Sequence, residues 1–433
     1  MRLRSFAILC AAASPALIAG GCSFQFVGDG DRFFFGDLER ATRQESAPLD
    51  LAAGGTLKID GLDGDVRVRV EAGAAPHVDS KWTAFAKEKE EAQAKLDRSS
   101  LKVEKIVGGD HPTLHLSVHT ADPPPGSGNL LIMPTPDVDL DLTIPQEVTL
   151  VIATRYGAVA VDGPVKGVTI EAPQGDVRVV DAEETRVRSS SGKVTLERIR
   201  GRVEVATVYD AVEIDDVEGP SVHATSNSGV IRLRNARVDR VELATSYDDL
   251  LLDHVTALDH GLEVSATTSS GAVRADHGGE GRWSLDASYG DVVARDLSGR
   301  LEARSHSGAI RIDGFRGDVR ARTEYDDLSI DGELHALDAE TSSGKIRIVA
   351  RPGSRVTTPW RIATKYDDVL LDLPAGFDAE LDAATSYGDI TGDIDVKVAS
   401  RDDAQARAHV KLGAGGPPIR VETSSGDIRI LRR

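Results

Sequence analysis

The stretch Thr341-Ser342-Ser343-Gly344-Lys345-Ile346-Arg347-Ile348 returns almost unchanged as Thr423-Ser424-Ser425-Gly426-Asp427-Ile428-Arg429-Ile430. Close variants are Thr268-Ser269-Ser270-Gly271 and Ser305-His306-Ser307-Gly308. A second version carries tyrosine, as in Thr245-Ser246-Tyr247-Asp248-Asp249-Leu250 and Thr323-Glu324-Tyr325-Asp326-Asp327-Leu328. Aligned on the Tyr/Ser position, the anchors are Tyr156, Gln174, Ser191, Tyr209, Ser228, Tyr247, Ser270, Tyr289, Ser307, Tyr325, Ser343, Tyr366, Tyr387 and Ser425. The residue after the anchor is Gly or Asp in all 14 copies, and the residue two further on is Val, Ile or Leu in all 14. Thr or Ser stands two places before the anchor in 12, the exceptions being Ala172 and Ala287. All seven tyrosines of the chain are anchors. Leu62-Asp63-Gly64-Asp65-Val66 reads as a further, degenerate copy.

Most anchors lie 17 to 19 residues apart. Each unit alternates apolar and polar residues, as in Val203-Glu204-Val205-Ala206-Thr207, then turns on Gly or Asp, which tolerate unusual backbone angles. A single unit cannot bury its apolar face, but stacked units can. Two short strands and two turns every ~18 residues predict an all-β, right-handed parallel β-helix. Tyr and Ser anchors alternate from Ser191 to Tyr366. Big-small packing along one edge and a 36-residue coil both fit that alternation. It breaks at Gln174-Ser191 and at Tyr366-Tyr387, which favours the 18-residue coil.

Around this repeat, 433 residues carry 51 Lys+Arg against 70 Asp+Glu, a formal charge of −19. That excess speaks against nucleic-acid binding and against electrostatic docking on anionic lipid. Forty per cent apolar residues suffices for a core.

Arg2 and Arg4, the apolar run from Phe6 to Ile18 and the small residues before Cys22 form an export-signal pattern too short to span a membrane. Leu17-Ile18-Ala19-Gly20-Gly21-Cys22 resembles a bacterial lipoprotein signal, which implies cleavage after residue 21 and lipidation of Cys22. Two arginines and no acid would be lost, taking the charge to −21. The only other cysteine, Cys10, leaves with the signal, so no internal disulfide is expected. Residues 22–50 read as a tether, with Phe24, Phe26, Phe33, Phe34 and Phe35 expected either to rest at the membrane interface or, the favoured reading, to form a strand covering the open end of the fold. Residues 51–148 read as a cap module of strands plus one amphipathic helix over 81–96. Residues 149–433 are the β-helix.

The sequence Leu57-Lys58-Ile59-Asp60-Gly61-Leu62-Asp63-Gly64-Asp65-Val66, the run Val138-Asp139-Leu140-Asp141-Leu142 and the ending Ser425-Gly426-Asp427-Ile428-Arg429-Ile430 together resemble bacterial β-strand-repeat proteins labelled "putative adhesin", a domain of unknown function. The resemblance covers residues 50–433. It implies the architecture and no active-site motif.

Carboxylates crowd the turns, at Asp210, Asp248, Asp249, Asp326, Asp327, Asp367 and Asp368. Turn geometry and solubility account for them better than calcium does. They are spread evenly, whereas a polysaccharide-cleaving enzyme needs a distinct acid pair. His115 and His119 stand about 13 Å apart along a strand, too far to share one metal. Ser307 beside His306 is a repeat anchor. No catalytic, cofactor-binding or metal-binding residue is therefore expected, and Cys22 is the one functional residue named. The expected protein is a non-enzymatic, membrane-anchored envelope lipoprotein of the outer membrane. It would bind a protein or glycan, or act as a scaffold. A carbohydrate-active enzyme and a self-assembling polymer are the alternatives.

Overall fold

The structure, a computed structural model, describes residues 38–106, 112–120, 135–393, 398–402 and 405–433. Cys22, the signal segment and the five phenylalanines before residue 38 lie outside the described residues.

The repeat builds a parallel β-solenoid with one coil per ~18-residue unit. One row of strands starts three residues after each anchor: Val159 pairs with Val177, Val177 with Val194, Val194 with Val212, and so on to Ile346 and Val369. A second row leads into the anchors, where Val187 meets Val205 and Val205 meets Ala224. Inward positions largely alternate with outward ones, so the core is a column of mainly Val, Ile, Leu and Ala with almost no exposure. Outward positions carry charges that pair across coils, such as Arg178 with Glu197 at 3.2 Å and Lys193 with Glu213 at 2.7 Å. Such exposed pairs add little stability each. The 36-residue coil is thereby excluded.

The front of the chain departs from the expected cap. Its elements are β1 (Glu39–Pro48), β2 (Thr56–Asp63), β3 (Val66–Val70), β4 (His77–Ala86), α1 (Lys89–Asp97), β5 (Ser99–Ile106), β6 (Thr113–Thr120), β7 (Asp137–Ile144), β8 (Thr149–Tyr156) and β9 (Val159–Gln174). The helix expected over 81–96 is only its second half, because Lys81–Ala86 belongs to β4. Trp82 and Ala84 are buried there by strand alternation, not by helical spacing. The tether expected over 22–50 is also too long. β1 runs antiparallel to β4, with Arg43 stacked 4.8 Å from the Trp82 ring and donating to the Ser99 carbonyl at 2.8 Å.

Both ends of the solenoid are interleaved. β2 pairs with β6 on one side and β8 on the other, and β3 lies between β7 and β9. The first coil of the chain is therefore second in space, and residue 148 marks no break in the stack. At the far end, Trp360–Ala363 and Val369–Leu373 do not adjoin the next coil, Ala379–Thr385 and Ile390–Gly392. The last strands, Pro418–Thr423 and Ile428–Arg432, are inserted between them. Outside the stack, Gln405–Leu412 runs antiparallel to Ala379–Thr385, and Val398–Asp402 antiparallel to it in turn. At the front, β4 similarly closes β7. Antiparallel hairpins thus cover the solenoid edges that would otherwise recruit further strands.

Candidate functional site: a tyrosine row on one corner

The corner carrying the anchors is built by three stacked devices. The first is a buried hydroxyl relay. Thr341 Oγ1 donates to the Asp326 carbonyl of the preceding coil at 3.3 Å and accepts from the Gly344 N–H at 3.2 Å. Thr423 does the same with the Asp367 carbonyl and Gly426 N–H, and Thr385 with the Gly426 carbonyl and Gly388 N–H. One hydroxyl thereby joins two coils and closes a turn, which explains Thr or Ser two places before the anchor. The second device is a carboxylate cap. Asp249, Asp327 and Asp368 accept from the backbone N–H of Ala272, Lys345 and Asp427 in the next coil, at 2.8–2.9 Å. Those three turn acids have a structural task.

The third device is the residue after the anchor. A Cβ on Gly271 would lie 1.9 Å from the Asp248 carbonyl oxygen, and one on Gly344 would lie 1.8 Å from that of Asp326. Coils can approach this closely only where glycine stands. Each Asp at this position (Asp210, Asp248, Asp326, Asp367) has a glycine coil on both sides. For Asp367 the second neighbour is Gly426, brought there by the inserted strands.

The same insertion repairs the tyrosine pattern. In sequence Tyr387 follows Tyr366. In space Ser425 lies between them, its N–H and that of Ser424 bonded to the Lys365 carbonyl, while the Tyr387 N–H reaches Ser424. The order along the corner is Ser191, Tyr209, Ser228, Tyr247, Ser270, Tyr289, Ser307, Tyr325, Ser343, Tyr366, Ser425, Tyr387. The alternation that stops in the sequence thus continues to the end of the stack.

These tyrosines are not packing against the serines. Tyr209, Tyr247, Tyr289, Tyr325, Tyr366 and Tyr387 are 61–78 % exposed. They recur every second coil, roughly 9.5–10 Å apart, so six of them span about 48 Å. His306 sits between two of them, with ring centroids 6.4 Å from Tyr289 and 5.1 Å from Tyr325, both edge-on. Its Nδ1 lies 3.1 Å from Glu324, and no nucleophile arrangement forms with Ser307. Apolar side chains this large seldom stand in the open as a regular file.

The other bend of each coil holds a column that the repeat alignment did not reveal. Seven residues after successive anchors, Asp181, Arg198, Asp216, Asn235, His254, His277 and Asp296 all have φ between 49° and 61°. Asn, Asp and His are the non-glycine residues that best tolerate this region. Their recurrence at one repeat position was the available signal. Of the histidines on β6, His115 bonds Asp60 at 3.0 Å. Near the front seam, burial together with neighbouring Asp63 and Asp139 pushes the Asp137 carboxyl up to about 6. Asp63 itself is held by Arg155 through two hydrogen bonds.

A family model described as Toastrack DUF4097 matches residues 56–298 and 284–431. Among solved structures, a "putative cell adhesion protein" from Clostridium sporogenes is 9 % identical, with 91 % of this chain and 100 % of that chain covered and a TM-score of 0.16. A "putative adhesin" from Bacteroides fragilis is 10 % identical over 91 % of this chain and 97 % of that one, with a TM-score of 0.17. No curated protein matches the chain.

Proposed function

The chain belongs to the Toastrack DUF4097 family, and from that premise we propose that it is a lipid-anchored, non-enzymatic envelope protein with an adhesin-like role. Its contact surface is the tyrosine row, and its ligand is an extended, uncharged glycan. The observation that carries this reading is the unbroken file of exposed tyrosines on a rigid corner. Tyrosine offers a flat apolar face and a hydroxyl at small entropic cost, which suits a sugar ring. Equal spacing lets one polymer engage several rings at once, so weak contacts multiply. The formal charge of −19 disfavours a polyanionic ligand. Hairpins over both ends speak against end-to-end polymerisation.

In a sedimentation assay with insoluble envelope polysaccharide, the intact protein should pellet with the glycan. A variant with all six exposed tyrosines changed to serine should stay in solution, and the six-phenylalanine variant should still pellet. Exposed substitutions of this kind change stability by only about 0.5 kcal/mol each, and a thermal melt checks this. If the serine variant pellets like the parent, the row is not the contact surface. For the anchor, Cys22→Ser should move the chain from the membrane fraction to the soluble fraction. Membrane retention after signal cleavage would remove Cys22 from the account.

A further inference from the structure

We propose that Asp253, His254 and His277 form a binding site for a divalent transition-metal ion, with Zn²⁺ as the representative ion. The site stands on the left-handed column at the bend away from the tyrosines. Along that column only residues 254 and 277 place two imidazoles on adjacent coils. Their rings stack with centroids 4.9 Å apart and planes 26° from parallel. Both turn the same nitrogen toward one carboxylate. Asp253 Oδ1 lies 2.9 Å from His254 Nδ1 and 3.0 Å from His277 Nδ1.

A tetrahedral ion with bonds of 2.0–2.1 Å needs its ligand atoms roughly 3.3 Å apart. The two N–O separations are within about half an ångström of that, and all three donor atoms lie within 4.8 Å of one another. Rotation of three exposed side chains closes the difference. On the far side of His277, Asp296 Oδ2 stands 3.8 Å from Nε2. A carboxylate on that side stands where the outer partner of a metal-bound histidine belongs, and a small side-chain rotation would bring it within hydrogen-bond reach of Nε2 once Nδ1 exchanges its proton for the ion. Asp276 pairs with Asp253 in the ladder. One of its oxygens is buried with no hydrogen-bond partner, and its nearest cation is Arg295 at 3.7 Å. Two imidazoles and one carboxylate select zinc- or copper-like ions over Ca²⁺ and Mg²⁺, which need more oxygen ligands.

The backbone explains why the histidines stay in place. Both occupy φ near +54°, fixed by the coil bend, so the imidazoles are presented from a rigid support. Asn235 occupies the same position one coil earlier. Asparagine therefore removes the donor ring and keeps the bend.

The experiment is a calorimetric titration of the full chain with ZnCl₂, alone and as the His254→Asn and His277→Asn variants. One ion per chain is expected for the parent, with affinity reduced at least about tenfold in each variant. Co²⁺ in place of Zn²⁺ should give visible absorption bands that both variants lose. The melting temperature without metal should be the same for all three proteins, which separates loss of ligand from loss of fold. Absence of Zn²⁺ binding by the parent would overturn the proposal. So would undiminished binding in both variants, or Ca²⁺ binding as well as Zn²⁺. Glycan retention should be unaffected, so this site and the tyrosine row stand or fall separately.

Discussion

Removing residues 418–433 should unfold far more of the chain than sixteen residues at an ordinary solenoid end. Ile419, Val421, Ile428 and Ile430 are fully buried in the slot between Trp360–Leu373 and Ala379–Gly392. At 1.5–3 kcal/mol for each buried aliphatic side chain, they contribute about 6–12 kcal/mol as an upper bound. Strand Ile390–Gly392 then loses the partner Ile428–Ile430. Asp372, only 7 % exposed, loses its 3.0 Å ion pair with Arg433. Solenoid stability is a sum over neighbouring coils, so the damage should be confined to one end. Limited proteolysis should therefore trim the deletion variant back to near residue 373 and leave a resistant core upstream. The parent should resist through residue 392. The freshly exposed edge of Val369–Leu373 should also make the variant aggregate.

Gly344→Ala should cost about 3 kcal/mol or more, although it adds a single methyl group. That carbon would stand 1.8 Å from the Asp326 carbonyl oxygen and 2.2 Å from its carbon, both backbone atoms that cannot rotate away. Ordinary overpacking costs about 1–3 kcal/mol. Here the coils must also separate where two hydroxyl bridges cross, from Thr341 to Asp326 and from Thr364 to the Gly344 carbonyl at 3.1 Å. Leaving a buried donor or acceptor unmade adds about 1–3 kcal/mol. Ser343→Ala, one residue away and exposed, should change stability by less than about 0.5 kcal/mol. Denaturant unfolding of the two variants beside the parent measures both effects. Equal midpoints for the two would remove close coil approach as the reason for glycine.

The coil was legible because each of its requirements selects a residue type. A turn too tight for a Cβ needs glycine, as at Gly344. A buried bridge between coils needs a hydroxyl, as at Thr341. A core one residue wide needs Val, Ile or Leu, as at Ile346. Even the degenerate copy at Leu62–Val66 is a true coil, since Val66 pairs with Val159. The spatial order of coils was not legible. Parallel pairing between Ile428 and either Val369 or Ile390 leaves the same local pattern, so that pattern does not tell which neighbour is adjacent. The single hint was the broken Tyr366–Tyr387 alternation, which reads as irregularity until Ser425 is placed between them. The helix was overextended because Trp82 and Phe85 suit a helical face and a strand face alike. The histidine pair was missed because His254 and His277 are 23 residues apart and meet only through the bend column.

The continuity of the tyrosine row rests on the inserted C-terminal strands, and cysteine cross-linking reads that order directly. Leu370 is partnered with Arg429, and Arg429 with Thr391. Neighbouring strands lie about 4.8 Å apart, within disulfide reach, whereas second neighbours at about 9.6 Å are not. In a chain with Cys22 changed to serine, the pairs Leu370→Cys/Arg429→Cys and Arg429→Cys/Thr391→Cys should oxidise readily, as mapped by mass spectrometry of linked peptides. The pair Leu370→Cys/Thr391→Cys should remain reduced. Ready formation of that last disulfide, with failure of the other two, would contradict the interleaved order and with it the unbroken row.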